Sequence, residues 1–112
     1  MEWAERRLDG VRVVEVSGRL DAAEAAAIGE ALAAGGVDHR LVVSMAGVTF
    51  IDSTALAMLV QGMKRARELQ GDLVLAELPP RVRIVFDLTG LDHAFDIYPT
   101  ADAAAAALAA RP

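Results

Sequence analysis

The sequence predicts an α/β domain: a mixed, mainly parallel sheet of about four to five strands covered by about four helices. Three observations predict it. Short apolar runs of strand length alternate with longer stretches of helical period, which implies parallel pairs joined by right-handed crossovers. The breakers Asp9-Gly10, Gly35-Gly36, Gly71, Pro79-Pro80 and Thr89-Gly90 fall between those runs. A chain of 112 residues without a visible linker or repeat is the size of one domain, read here as 1–112.

Residues 3–8 and 11–17 read as two strands around Asp9-Gly10, a strong hairpin signal. Strict alternation breaks at Val13-Val14, as expected where both faces of a strand become covered. Asp21 reads as the N-cap of a helix over Ala22–Ala34, with Glu24 completing a capping-box-like pair and Gly35-Gly36 as its stop. Leu41-Val42-Val43 is a buried strand ending at Ser44-Met45, and Val48 to Ile51 is a second apolar stretch. A long helix then runs from Asp52-Ser53-Thr54 to about Gln70, with Gly71 ending it. Leu73 to Ala76 is another buried strand; Pro79-Pro80 precedes a helix over Arg81–Leu88, closed by Thr89-Gly90. Phe95 to Tyr98 reads as a short final strand or an extended segment, and the alanine-rich stretch 101–110 is a terminal helix with Asp102 in its first turn. The order is β-β-α-β-α-β-α-(β)-α, with alternate helices covering the sheet.

Composition excludes several function classes. The formal net charge is −5, so the chain has little with which to neutralise phosphates, and direct nucleic-acid binding is not expected. The one dense basic stretch, Lys64-Arg65-Ala66-Arg67, reads as a solvated helix face. There are no cysteines, which removes disulfides, thiolate chemistry and Cys-based zinc sites and fits a reducing cytoplasm. The first ten residues have no apolar core of a signal peptide, and no apolar run reaches the roughly 18 residues of a membrane span, so neither export nor membrane insertion is expected. Catalysis is not expected: Ser53 lies outside any G-x-S-x-G context, and His39 and His93 sit in loops without spaced carboxylate partners. Neither a metal nor a cofactor is implied.

The informative segment is Asp52-Ser53-Thr54-Ala55-Leu56-Ala57-Met58-Leu59. At 100° per residue Leu56, Leu59, Val60, Met63 and Ala66 share a face, which packs on the sheet. Met58, Gln61 and Arg65 point the other way, so Met58 is expected to be an exposed apolar residue near the helix start. Gly62 lies on the flank, where a missing side chain permits another backbone to approach. Asp52 and Ser53 fall where a helix leaves its amides unpaired. One reading makes one of them an N-cap. The other has the Ser53 hydroxyl presented to solvent for modification, since three polar residues in a row exceed what a cap needs.

Several segments resemble STAS domains, and most closely the stand-alone bacterial anti-sigma factor antagonists. Val16-Ser17-Gly18-Arg19-Leu20-Asp21 is similar to the family's strand-to-helix turn. The stretch from Leu41 to Ser53 resembles its strand-turn-Asp-Ser signature, Leu69 to Leu73 its helix-Gly-strand step, and Val82 to Leu91 its "V-x-x-(L/V)-(F/L)-x-x-(T/S)-G-L" element. Two positions depart from the family pattern: Ala55 stands where Gly usually follows the hydroxyl pair, and Ser44-Met45-Ala46 replaces the strand-end Asp-Leu-Ser. The resemblance implies partner switching. An unmodified antagonist binds an anti-sigma factor that is also a serine kinase, a sigma factor is released, the kinase phosphorylates the antagonist, and a PP2C-type phosphatase reverses the step. Carried over, the acceptor is Ser53 and Asp52 is the adjacent acidic residue; Thr54 is the second choice, and the expected partner-binding set is Asp21, Asp52, Thr54 and Ala55, with Met58 and Gly62 added from their places on the helix. The alternative within the same fold is a STAS scaffold or a small cytoplasmic subunit of a membrane lipid-transport complex.

Overall fold

The computed structural model describes residues 1–33 and 39–111. Asp9 and Gly10 both take positive φ, 54° and 78°, the geometry of a two-residue hairpin turn whose twist matches its strands. They join β1 (Glu2–Leu8) to β2 (Val11–Leu20) as an antiparallel pair, with Leu8 opposite Val11. A single 3₁₀ turn, Ala22–Glu24, leads into α1 (Ala25–Ala33). The chain continues through β3 (Arg40–Ile51), α2 (Ser53–Glu68), β4 (Asp72–Ala76), α3 (Pro80–Thr89), the 3₁₀ turn Leu91–His93, β5 (Ile97–Tyr98) and α4 (Ala101–Ala109). The five strands lie in sequential order, with β2 to β5 parallel. This is the mixed α/β sheet with four helices that the pattern predicts.

Sequential order decides where the helices go. Crossovers of one hand that all step in one direction place their helices on one side. Thus α1, α2 and α3 together cover one face, over Val14, Val16, Leu41, Val43, Leu73 and Leu75. Only α4 covers the other, over Val11, Val13, Val42 and Val74, with Ala101, Ala104, Ala105 and Leu108 against them. All four helices thus cover the sheet, three on one face and one on the other, where alternate helices were expected to cover it. The Val13-Val14 break has the predicted cause, because the two side chains enter different cores.

Other boundaries differ for local reasons. The stretches 41–45 and 48–51 are one strand, carried through Gly47; a Cβ there would lie 2.7 Å from Ser17 Cβ. Register shifts between Glu15 and Ser17 and between Gly18 and Arg19 absorb the mismatch and set Leu20 beside Ile51. The first turn of the predicted Ala22–Ala34 helix is 3₁₀, and the proposed stop at Gly35-Gly36 lies outside the described residues. At the end of α2 the left-handed residue is Gln70, φ 68°, and not Gly71. Glycine is required at 71 for another reason: a Cβ would sit 2.1 Å from the His39 carbonyl oxygen. In α3, Pro80 takes the first helical position and Gly90 the left-handed C-cap, φ 76°.

The last helix is held by polar contacts absent from the sequence reading. Thr100 Oγ1 caps it by accepting the Ala103 amide at 3.0 Å. Arg40 donates to the carbonyls of Leu108 and Arg111. Arg111 in turn pairs with Asp72, a buried carboxylate that also receives Arg67 at 2.9 Å. The hydrogen bond to Asp72 chiefly raises the Arg111 pKa, so the guanidinium stays charged at any accessible pH.

Candidate functional site

The carboxyl ends of β2 and β3 meet at the start of α2. Leu20 and Ile51 are neighbours in the sheet, and the Asp52 amide donates to the Leu20 carbonyl at 3.1 Å. Asp52 is thereby fixed in extended backbone, φ −116°, as the N-cap. Its Oδ1 accepts the Ala55 amide at 3.1 Å, and its Oδ2 accepts the Ala22 amide at 3.0 Å. One carboxylate therefore starts α2 and pins the turn that follows β2. The Ala55 amide is the main cause of a lowered Asp52 pKa, helped by the Ala22 and Thr54 amides and the Arg19 charge, and opposed by desolvation. Of the two cap candidates, Asp52 is the cap.

That leaves Ser53 free. It is the first residue of α2, it is exposed, and among the described residues its hydroxyl has no intramolecular hydrogen-bond partner. Thr54 beside it is half-buried. Asp21 lies close by, half-buried, with Oδ2 receiving Arg19 Nε at 3.2 Å. It occupies the N-cap position of the 3₁₀ turn but makes no side-chain cap bond. Glu24 does not complete a capping box either, because it pairs with the Met1 amine at 3.1 Å. The Asp52 carboxylate performs the capping expected of Asp21.

Three residues of the expected partner-binding set are less open than their helix positions implied. Ala55 is 0% exposed and belongs to the core beneath the three-helix cover. Met58 is half-buried against α1, with its Cε 3.5 Å from where a Gly29 Cβ would be. Gly62 also faces inward: a Cβ there would meet side chains, Leu73 Cδ1 at 3.2 Å and Leu32 Cδ1 at 3.5 Å, and among the described residues no backbone outside α2 comes as near. The reason is that α2 is flanked by α1 as well as by the sheet, so its buried arc is wider than one stripe. Its solvent face carries Ala57, Gln61, Lys64 and Glu68, with Arg65 beside them. Lys64 and Arg65 are solvated as expected; Arg67 is also exposed but bound to Asp72.

Exposed residues that the sequence reading missed complete the surface around Ser53. Ala22 and Ala23 lie open on the pinned turn. Phe50, 39% exposed, carries the Arg19 guanidinium 4.2 Å above its ring. The available signal was strand register, which sets Arg19 opposite Phe50 one step before Leu20 and Ile51. The strand-end substitution also has a structural account: Ser44, buried on β3, donates to Glu77 Oε2 at 2.6 Å. His93 is exposed and His39 half-buried; among the described residues no cluster of three or more His, Cys, Asp or Glu side chains could hold a metal. No helix among them is long and apolar enough to cross a membrane.

Comparison with known proteins agrees with this geometry. Residues 2–104 match the family described as "STAS domain". BtrV of Bordetella bronchiseptica, named as an anti-sigma factor antagonist, is 35% identical over 104 residues, which cover 90% of this chain and 89% of that protein. The crystal structure of an anti-sigma factor antagonist from Mycobacterium paratuberculosis superposes with a TM-score of 0.84 at 33% identity, over 96% of this chain and 92% of that one. The Bacillus cell fate determinant SpoIIAA, solved in its phosphorylated form, shares the fold at 21% identity, with a TM-score of 0.59 over 92% of this chain and 96% of that one.

Proposed function

This chain belongs to the STAS domain family, and from that premise we propose that it is an anti-sigma factor antagonist switched by phosphorylation of Ser53. Unmodified, it binds an anti-sigma factor that is also a serine kinase, and a sigma factor is released. In the switching step the kinase transfers the γ-phosphoryl group of ATP to Ser53 Oγ. The Oγ–P bond forms, the bond to the ADP leaving group breaks, and the hydroxyl proton departs to the kinase's base or to water. A PP2C-type phosphatase hydrolyses the ester and restores binding. The chain acts by binding, with no catalytic residue of its own, and works in the cytoplasm without direct contact to nucleic acid.

The observation that carries this reading is the state of Ser53: an exposed, unengaged hydroxyl at the first position of α2, while the neighbouring Asp52 takes over the capping. A serine needed as a cap would be tied to a backbone amide and masked. Phosphate adds about −1.5 to −2 charges at that spot. Because α2 is already capped, the added charge acts across the interface, by repulsion and bulk, and leaves the fold intact. Relatives named as anti-sigma factor antagonists support the partner class.

The test is phosphorylation in vitro by the anti-sigma kinase encoded with this chain, read by intact mass and peptide mapping. One phosphate on Ser53, lost in Ser53→Ala, is the expected result. Phosphate on Thr54 alone, or none, contradicts it.

A further inference from the structure

We propose that Asp52 is a positioning residue that keeps a phosphate on Ser53 turned outward, an inference that rests on Ser53 being the modified residue. A helix start ordinarily offers free amides, and a phosphate seats on them readily. A phosphate so seated would be partly neutralised by the helix itself, and its effect on a partner would be blunted. In α2 the Ala55 amide is already bound to Asp52 Oδ1 at 3.1 Å. The other oxygen holds the Ala22 amide at 3.0 Å, so the carboxylate cannot swing aside without releasing the turn after β2. A phosphoryl group on Ser53 meets an Ala55 amide that is already taken and a fixed negative charge, and both favour the outward direction.

The surrounding charges do not alter this. Arg19 and Asp21, at the end of β2, pair with each other at 3.2 Å, and Arg19 is also stacked on Phe50. Glu24 of the 3₁₀ turn is held by the Met1 amine. The first turn of α2 contains no other acidic residue. Asp52 is the fixed charge next to Ser53, and it is tied from two sides.

The experiment installs phosphoserine at position 53 by genetic code expansion, so that neither kinase nor partner is needed. The second ionisation of the phosphate is then followed by ³¹P NMR in the wild-type background, in Asp52→Asn and in Asp52→Ala. Asn removes the charge and keeps an acceptor for the Ala55 amide; Ala removes both. The midpoint should be highest in the wild-type background, about half a unit lower in Asp52→Asn, and lower again in Asp52→Ala, where the freed amide binds the dianion. Coincident midpoints, or Ala not below Asn, overturn the inference. Should Asp52→Ala not fold, equal midpoints for the wild-type background and Asp52→Asn suffice to overturn it. A chain that no kinase modifies would sink the proposed function and leave this titration unaffected; coincident titrations would sink the inference and leave the proposed function standing.

Discussion

The side chains of Asp52 and Ser53 divide the work of a helix start. An aspartate accepts at two oxygens, so it can satisfy the Ala55 and Ala22 amides together. A serine in its place would have to reach both amides with one oxygen on a shorter side chain; with Asp52 there, the Ser53 hydroxyl stays unengaged. This division has a pH signature. The amide bonds lower the Asp52 pKa in the folded chain, so its contribution to stability is complete above the unfolded carboxylate value of about 3.9 and is lost as pH falls through the folded value. Asp52→Asn is therefore expected to melt below the wild-type protein at neutral pH, with the gap closing in acid. Thermal scans from neutral to acid pH check this, and a gap constant with pH contradicts it. The neighbouring Asp-Ser-Thr pattern was legible in the sequence; which residue caps was not. Both are good caps, and the choice depends on the Ala22 amide arriving from 30 positions away.

The helix α2 shows how far periodicity reaches. Its core residues Leu56, Leu59, Met63 and Ala66 are where the pattern puts them. On the opposite face Gln61 and Arg65 are exposed as expected, and Met58 alone is misplaced, because a helical wheel has no knowledge of the flanking α1. Met58 occupies the α1–α2 contact and Ala57 the solvent face. Two substitutions separate the phases. Met58→Asp puts a carboxylate into a half-buried apolar contact and is expected to destabilise the fold by about 2 kcal/mol. Ala57→Asp should leave stability within about 0.5 kcal/mol and weaken partner binding at least tenfold, since it adds charge one turn from Ser53. Denaturant titration and calorimetry measure the two effects; a stable Met58→Asp would return the helix to the phase read from periodicity. A third position, Gly71, tests the α2–β4 turn. A Cβ would collide with the His39 backbone, so Gly71→Ala is expected to cost about 3 kcal/mol or more, well beyond the usual gain from replacing a glycine. Sequence reading assigned Gly71 the correct place and the wrong task, because Gln70 takes the left-handed residue's role.

For the whole molecule, the decisive feature is a sheet with two unequal covers. Three helices pack on one face, and the thin alanine-rich α4 alone covers the valines of the other. Strand and helix order were legible from apolar runs and breakers. The distribution of helices over the faces was not, because it follows from strand order, which a single sequence does not reveal. Ending the chain before Thr100 should uncover Val11, Val13, Val42 and Val74 and remove cooperative melting, which calorimetry and dye binding would show. Ser53 is the first residue of α2, at the exposed end of the three-helix cover, so the proposed switch calls for no rearrangement of the core beneath it. The most direct measurement of that central claim is the affinity of the cognate anti-sigma factor for the unmodified chain and for the chain carrying phosphoserine at position 53, by calorimetry on folded samples with matching melting temperatures. The account predicts tight binding of the unmodified chain and at least a hundredfold loss, about 2.7 kcal/mol, with phosphate present. Equal affinities for the two forms would contradict it.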